Sequence, residues 1–249
     1  MNMPEFPLPW LAPGERFPDV AQTWGPKDPA PGLLAAGGAL DVATLLDAYS
    51  RGIFPWYSEG QPILWWSPDP RMVLHTQEFR LHRSLRKTLQ AFVANAACEI
   101  RVDSAFERVI AACAASPRKD QGGTWIVPQM VRAYRSLHRA GHAHSVETWI
   151  DGELRGGLYC VALGRAVFGE SMFTTAPDAS KIALAALVAL CRHHGVALID
   201  CQQNTRHLAS LGAREIARSV FATHVRAAVR EACEAWRFEP VYWKQLLDA

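Results

Sequence analysis

The run His144-Ser-Val-Glu-Thr-Trp-Ile-Asp-Gly-Glu-Leu-Arg-Gly-Gly-Leu-Tyr-Cys-Val-Ala-Leu163 decides the fold class. Two β-prone segments, 144–150 and 153–163, flank Asp151-Gly152, a pair suited to the two-residue turn of a β-hairpin. Gly164-Arg165 turns the chain again into a third apolar segment, Ala166 to Met172. Three consecutive antiparallel strands are therefore expected. Gly156-Gly157 inside the second strand predicts a bulge or a close approach of another backbone.

Working outward, Ser180 to His194 is rich in Ala and Leu and is closed by Gly195, which predicts a long helix. Val196 to Ile199 is an apolar run that ends abruptly in Asp200-Cys-Gln-Gln-Asn204, as a buried strand does at a polar edge. Thr205 to Leu211 predicts a short helix stopped by Gly212, and a last helix is expected from about Arg218 to Trp236. The tail, 237–249, either packs through Trp243 or frays.

Upstream, residues 1 to about 35 are crowded with proline and predict irregular chain. Gly32-Leu-Leu-Ala-Ala-Gly-Gly38 lacks the lysine of a phosphate-binding loop and reads as a turn before a helix that Asp41 caps. Trp56, Tyr57, Trp65 and Trp66 lie among prolines that forbid a regular helix. They form either a packed aromatic hinge or a platform on which a ligand stacks. Arg71 to His75 reads as a strand. Arg80, His82, Arg83, Arg86 and Lys87 are expected on one amphipathic helix with Leu81, Leu85, Leu89 and Phe92 on its apolar side. A strand at Cys98–Val102 and helices at 104–115 and 128–141 complete the order. A meander followed by a helix and another strand is the order of N-acetyltransferase (GNAT-type) folds. The expected class is thus α+β: a small N-terminal domain over 1–69, an acetyltransferase-like domain over 70–236 with a mixed, mostly antiparallel sheet, and a C-terminal tail.

The 249 residues are 49% apolar and 20% charged, with a formal net charge of +2, as befits a globular protein with an ample core. That balance neither demands nor excludes a nucleic-acid partner. No apolar run approaches the roughly 18 residues of a membrane span, and the Pro-rich start has no secretory pattern, so a cytoplasmic protein is expected. Six cysteines are scattered with no Cys-x-x-Cys pair, which argues against zinc and against a disulfide framework. Nothing suggests an obligate oligomer, so a monomer is expected.

Asp200 and Gln202 stand two apart, so in an extended chain both leave one face while Cys201 takes the other. A carboxylate and an amide leaving a sheet together are expensive to bury without a task or a partner. From this pattern alone a helix-starting cap and a catalytic pair remain open. The helix carrying Arg83, Arg86 and Lys87 is the densest basic cluster, a solvated face or a set of phosphate contacts.

The ordered blocks Arg51-Gly-Ile-Phe-Pro-Trp56, Leu64-Trp-Trp-Ser-Pro-Asp-Pro-Arg71, Gly123-Thr-Trp-Ile126, Gly169-Glu-Ser-Met-Phe173, Ile199-Asp-Cys-Gln202 and His207-Leu-Ala-Ser-Leu-Gly-Ala213 closely resemble the leucyl/phenylalanyl-tRNA–protein transferase family over about residues 30 to 220. The resemblance implies a bacterial aminoacyltransferase that moves Leu or Phe, and Met weakly, from aminoacyl-tRNA to proteins with N-terminal Arg or Lys, without metal or coenzyme. Such transfer marks the product for proteolysis. It places catalysis on Asp200 and Gln202. Asp200 would orient and polarise Gln202, whose carbonyl would accept a hydrogen bond from the attacking amine. Glu170, near the end of the last meander strand, would hold the donor's amino group or recognise the acceptor's charge. Trp56 and Trp125 match tryptophans of the family that meet the terminal adenosine or shape its pocket. By position, Leu158, Met172, Phe173 and Ile199 are candidates for the side-chain pocket, and Tyr49 lines the site or belongs to the core. Arg83, Arg86 and Lys87 would hold acceptor-stem phosphates. Two departures stand out: Asn204 sits one position before an asparagine found in some members, and Val167 stands where an aromatic can occur.

Two rivals are weaker. An acetyl-CoA enzyme usually carries an Arg/Gln-x-x-Gly-x-Gly/Ala loop at a helix N-terminus, and none precedes the Ser180 helix. A non-catalytic tRNA-binding module would leave Asp200, Gln202 and Glu170 without a task.

Overall fold

A computed structural model describes residues 7–116, 126–233 and 235–248. Two sheets carry the chain. The smaller, in the order β1-β2-β4-β3, is built from β1 (Trp10–Leu11), β2 (Leu33–Gly37), β3 (Phe54–Pro55) and β4 (Leu64–Trp66). Helix α1 (Val42–Ser50) connects β2 to β3, and Asp41 caps it by accepting from Thr44 N at 2.9 Å. The larger, in the order β11-β5-β10-β9-β8-β7-β6, uses β5 (Arg71–His75), β6 (Cys98–Val102), β7 (Ala143–Ile150), β8 (Glu153–Leu163), β9 (Ala166–Thr174), β10 (Leu198–Gln202) and β11 (Arg214–Ile216). Its neighbours are antiparallel except β9 and β10. The remaining helices are α2 (Arg83–Ala94), α3 (Phe106–Ala115), α4 (Pro128–Arg139), α5 (Ala179–His193), α6 (Arg206–Ser210), α7 (Arg218–Ala228) and α8 (Lys244–Leu247). The class is α+β with mixed sheets.

Alternation along the strands divides the core in two. Val73, Tyr159, Val161 and Phe168 face one side, where they meet Tyr49 of α1, Val109 of α3, Tyr134 of α4 and Phe221 of α7. Met72, Leu158, Cys160, Val167 and Ile199 face the other, against Leu85 and Leu89 of α2, the Ala/Leu run of α5, and Trp243 and Leu246 of the tail. Trp243 is buried, so the tail packs.

The expected meander is present, with Asp151 and Gly152 both at positive φ as a two-residue hairpin turn requires. At Gly156 a Cβ would fall 2.6 Å from that of Ala179, so the missing side chain lets the first turn of α5 rest on β8. The register also slips by one residue beside it, between Thr148 and Trp149.

Several expectations change. Gly32–Gly38 holds a strand, β2, not a turn: its apolar residues are buried between β1 and β4. The start of the chain is thereby less irregular than its prolines suggest. Arg80 and His82 precede α2 instead of riding on it, although Leu85, Leu89 and Phe92 are buried as expected. The last long helix stops at Ala228, eight residues before Trp236. The chain there folds over the β8–β9 turn, where Arg165 N donates to Ala228 O and the Arg165 guanidinium meets Glu231, while Trp236 stacks on His144.

Candidate active site

Two irregularities in the large sheet create the site. Tyr159 pairs with Ser171 and Cys160 with Gly169, so Glu170 is the extra residue of a bulge at mid-strand, not near the end of β9. Asp200 pairs with Val73 and Gln202 with Met72, so Cys201 is the extra residue of a second bulge, and Gln202 has φ 62. Bulges re-aim side chains and recur beside active sites. The parallel pairing of β9 and β10 ends at Phe168 and Asp200. Past that point the strands part, and a cavity of about 340 Å³ opens, lined by Leu158, Met172, Leu184, Leu187, Ile199 and Leu208 with Glu170 and Ser171 beside them.

Asp200 has no exposure, and neither does its partner Arg71. Arg71 Nε donates to Asp200 Oδ1 at 2.8 Å and Nη2 to Oδ2 at 2.7 Å, while Nη1 reaches Gly52 O. The guanidinium lies against the rings of Phe54 and Phe221. Asp200 Oδ1 also accepts from the backbone N–H of Gln202 at 2.9 Å. Asp200 thus reaches Gln202 through the backbone, and the side-chain amide of Gln202 turns elsewhere. Its Nε2 donates to Glu170 Oε1 at 3.1 Å, and the amide oxygen has no partner among the described residues.

Glu170 is half-buried. Tyr49 and Tyr134 donate to its Oε1 and Oε2 at 2.7 and 2.9 Å. Burial, opposed by the bonds from both phenols and Gln202 and reinforced by the charge of Asp200, lifts its carboxyl to about 8. Tyr49 is fully buried behind Glu170 and belongs to the core as well as to this network. Cys201 packs on the opposite face from Asp200, as expected, and burial pushes its thiol far up, which disqualifies it as a nucleophile.

The structure brings Leu158, Met172 and Ile199 to the cavity but not Phe173, which alternation turns to the other face, against Gly157. Val167 is likewise buried away from the wall. Trp56 is half-buried outside the wall, edge-on to Trp66, whose Nε1 donates to Trp56 O at 2.7 Å. Trp65 and Tyr57 are buried as packing. Trp125 lies outside the described residues. Arg83 and Lys87 are exposed on α2, whereas Arg86 is half-buried and donates to Leu247 O. His82 meets Ser210 O at 2.7 Å, so the basic helix begins beside α6, whose Leu208 lines the cavity.

Sequence reading missed Arg71, Tyr134, Leu184, Leu187 and Leu208. Arg71 ends the Leu64–Arg71 block with no local pattern that marks a role, and Tyr134 is a phenol on the apolar face of α4. A larger, open depression of about 620 Å³ lies between residues 14–17 and α1. Its carboxylates are already committed, Glu15 to Ala12 N, Asp41 to Thr44 and Asp47 to Arg51.

Among the described residues no group of His, Cys, Asp and Glu could hold a metal, and no helix is long and apolar enough to cross a membrane.

Residues 73–226 match the family model described as leucyl/phenylalanyl-tRNA protein transferase, and residues 38–69 match the model of its N-terminal domain. A leucyl/phenylalanyl-tRNA–protein transferase of Polaromonas sp. is 69% identical over 243 residues, covering 98% of this chain and 95% of that protein. Proteins of the same name from Albidiferax ferrireducens and Burkholderia pseudomallei are 65% and 59% identical, covering 97% and 93% of this chain and 95% and 91% of theirs. A solved Staphylococcus epidermidis protein of unknown function aligns over 74% of this chain and 68% of its own at 9% identity with a TM-score of 0.39, too slight a likeness to carry an argument.

Proposed function

The chain belongs to the leucyl/phenylalanyl-tRNA protein transferase family, and from that premise we propose how its site performs aminoacyl transfer from tRNA to protein. The donor is an ester, already activated, so the protein's task is alignment of ester and amine. The apolar cavity takes the donor's leucine or phenylalanine side chain, and methionine less well. The observation that carries this reading is the placement of that cavity: its floor is aliphatic, Glu170 and Asp200 border it at the strand split, and the amide of Gln202 is bonded to Glu170 there. An aliphatic pocket discriminates similar side chains by only about 1–3 kcal/mol.

Gln202 orients the attacking amine through its amide oxygen. Asp200, gripped by Arg71, fixes the backbone from which that amide projects. Trp56 stacks on the terminal base, with Trp125 assigned to the same pocket. Arg83 and Lys87 meet acceptor-stem phosphates, contacts that carry no base information and suit an enzyme using several tRNAs. The acceptors are proteins with N-terminal Arg or Lys in the bacterial cytoplasm. The meander, the long helix after it and the parting β9–β10 pair support a GNAT-type sheet. We place the small domain at 1–69, the catalytic domain at 70–236 and the tail at 237–249.

The test supplies labelled Leu-tRNA, Phe-tRNA or acetyl-CoA with a peptide bearing N-terminal arginine. Label is expected to move from both tRNAs and not from acetyl-CoA. No transfer from either tRNA overturns the reading.

A further inference from the structure

Three short oxygen–oxygen contacts close around Glu170, and the tyrosines can supply protons for only two. Tyr49 Oη lies 2.6 Å from Tyr134 Oη and 2.7 Å from Glu170 Oε1, and Tyr134 Oη lies 2.9 Å from Oε2. Each phenol carries one proton. If both donate to an ionised carboxylate, the phenol oxygens face each other lone pair to lone pair. One proton on the carboxyl resolves this: the carboxyl donates to Tyr49, Tyr49 to Tyr134, and Tyr134 back to the carboxyl. Head-to-tail chains of this kind reinforce each bond. The cluster is a receptacle for one proton, and Glu170 borders the cavity.

We infer that Glu170, backed by Tyr49 and Tyr134, takes the proton from the attacking amine and returns it to the departing ribose oxygen. This rests on the aminoacyl-transfer reading. The acceptor's amino nitrogen bonds to the ester carbonyl carbon and the bond from that carbon to the ribose oxygen breaks. One proton of the nitrogen passes by way of Glu170 to the ribose oxygen, which leaves as a hydroxyl. Glu170 ends each turnover as it began, ionised.

Asp200 and Gln202 are excluded as the acceptor, and His207 of α6, which also lines the cavity, has no hydrogen bond to Glu170 or Gln202 among the described residues. Asp200 is fully buried and both its oxygens are engaged by Arg71. An amide such as that of Gln202 is too weak a base to hold a proton. The groups facing Glu170 are Tyr49 from α1, Tyr134 from α4, Asp200 and Gln202 from β10, with Tyr159 and Cys160 of β8 behind them, where burial keeps the Cys160 thiol protonated. The carboxyl's proton affinity near 8 lies beside that of an α-amino group, about 7.7–8.0. Transfer between them is close to even, the condition under which a general base is most effective.

The test measures single-turnover transfer of labelled leucine from Leu-tRNA to an Arg-peptide between pH 6 and 9, alongside the infrared carbonyl band of a protonated carboxyl. In the wild type that band is expected to disappear with a midpoint near 8, and it is expected to be missing in Glu170→Gln at every pH. Glu170→Gln is expected to lower kcat by about 10²–10⁴ while the KM of donor and acceptor stay near wild type. Tyr134→Phe, which removes a donor to the ionised carboxylate, is expected to move the rising limb of kcat to higher pH. A raised KM with kcat intact in Glu170→Gln makes Glu170 a grip for a cation and overturns the inference. So does an unmoved midpoint in Tyr134→Phe, or the absence of the band from the wild type. Failure of the wild type to move label from Leu-tRNA or Phe-tRNA overturns the transfer reading instead, and the infrared band still judges the proton receptacle.

Discussion

Arg71 and Asp200, 129 residues apart in sequence, form a two-pronged ion pair from which solvent is excluded. Removing one member leaves an uncompensated buried charge, at a cost of about 3–5 kcal/mol. Arg71→Ala is therefore expected to lower the unfolding free energy by that order, and Arg71→Lys, which keeps charge but not the fork, by less. Equilibrium urea unfolding checks both. Wild-type stability in Arg71→Ala would mean the pair holds nothing.

Glu170 gives stability a pH dependence whose sign is set by its raised proton affinity. Between the unfolded value of about 4.3 and the folded value of about 8, the native state holds a proton that the unfolded chain has lost. Stability from this group is full below that window and is lost as pH rises through it. Glu170→Gln has no such term, so its Tm relative to wild type is expected to climb from pH 5 to pH 8 and then level off. A difference that does not vary with pH contradicts the buried-acid picture.

Met172 is a half-buried residue of the cavity wall. Met172→Ala enlarges the pocket. Transfer of tryptophan relative to leucine is expected to rise, by a factor bounded by about 10–200. Competition between the two charged tRNAs in one reaction reads the ratio, and an unchanged ratio removes Met172 from the specificity wall.

Trp56→Ala removes a stacking surface. Base–aromatic stacking contributes about 1–3 kcal/mol, so the KM for aminoacyl-tRNA is expected to rise correspondingly while kcat holds. Titration of transfer rate against tRNA concentration separates the two. Because Trp66 bonds the backbone oxygen of Trp56 rather than its ring, the local fold is expected to survive.

Arg83 and Lys87 are exposed on α2. Replacing either with alanine is expected to weaken tRNA binding evenly across tRNA species and to reduce the slope of log affinity against log salt by about 1. Arg86→Ala is expected to loosen the tail as well, since its guanidinium donates to Leu247 O. An unaltered salt slope in the Arg83 and Lys87 variants takes α2 out of the tRNA interface.

What the chain encodes locally was legible without coordinates. Asp151-Gly152 and Gly164 set two turns, the period of two in the strands set the meander, and the Ala/Leu run closed by Gly195 set α5, because turn geometry and side-chain alternation depend on neighbours within a few residues. The same alternation put Cys201 on the face opposite Asp200, whereas the bulge there, with Gln202 at φ 62, aims Gln202 by a route that alternation does not predict. The family, too, could be read from short blocks in order.

Only the tertiary structure decided how those residues are used. The pairing of β2 with β1 and β4 left no signal in Gly32–Gly38, because a strand buried on both sides shows no alternation. The bulge that frees Glu170 is a mismatch between two strands, and neither strand's sequence contains it. Asp200 read as a carboxylate in need of a task or a partner; the fold supplies the partner in Arg71. Tyr49, Tyr134 and Glu170 come from α1, α4 and β9, and their shared proton exists only where those elements meet. Hydrogen bonds between distant segments depend on packing in three dimensions, which no local pattern records.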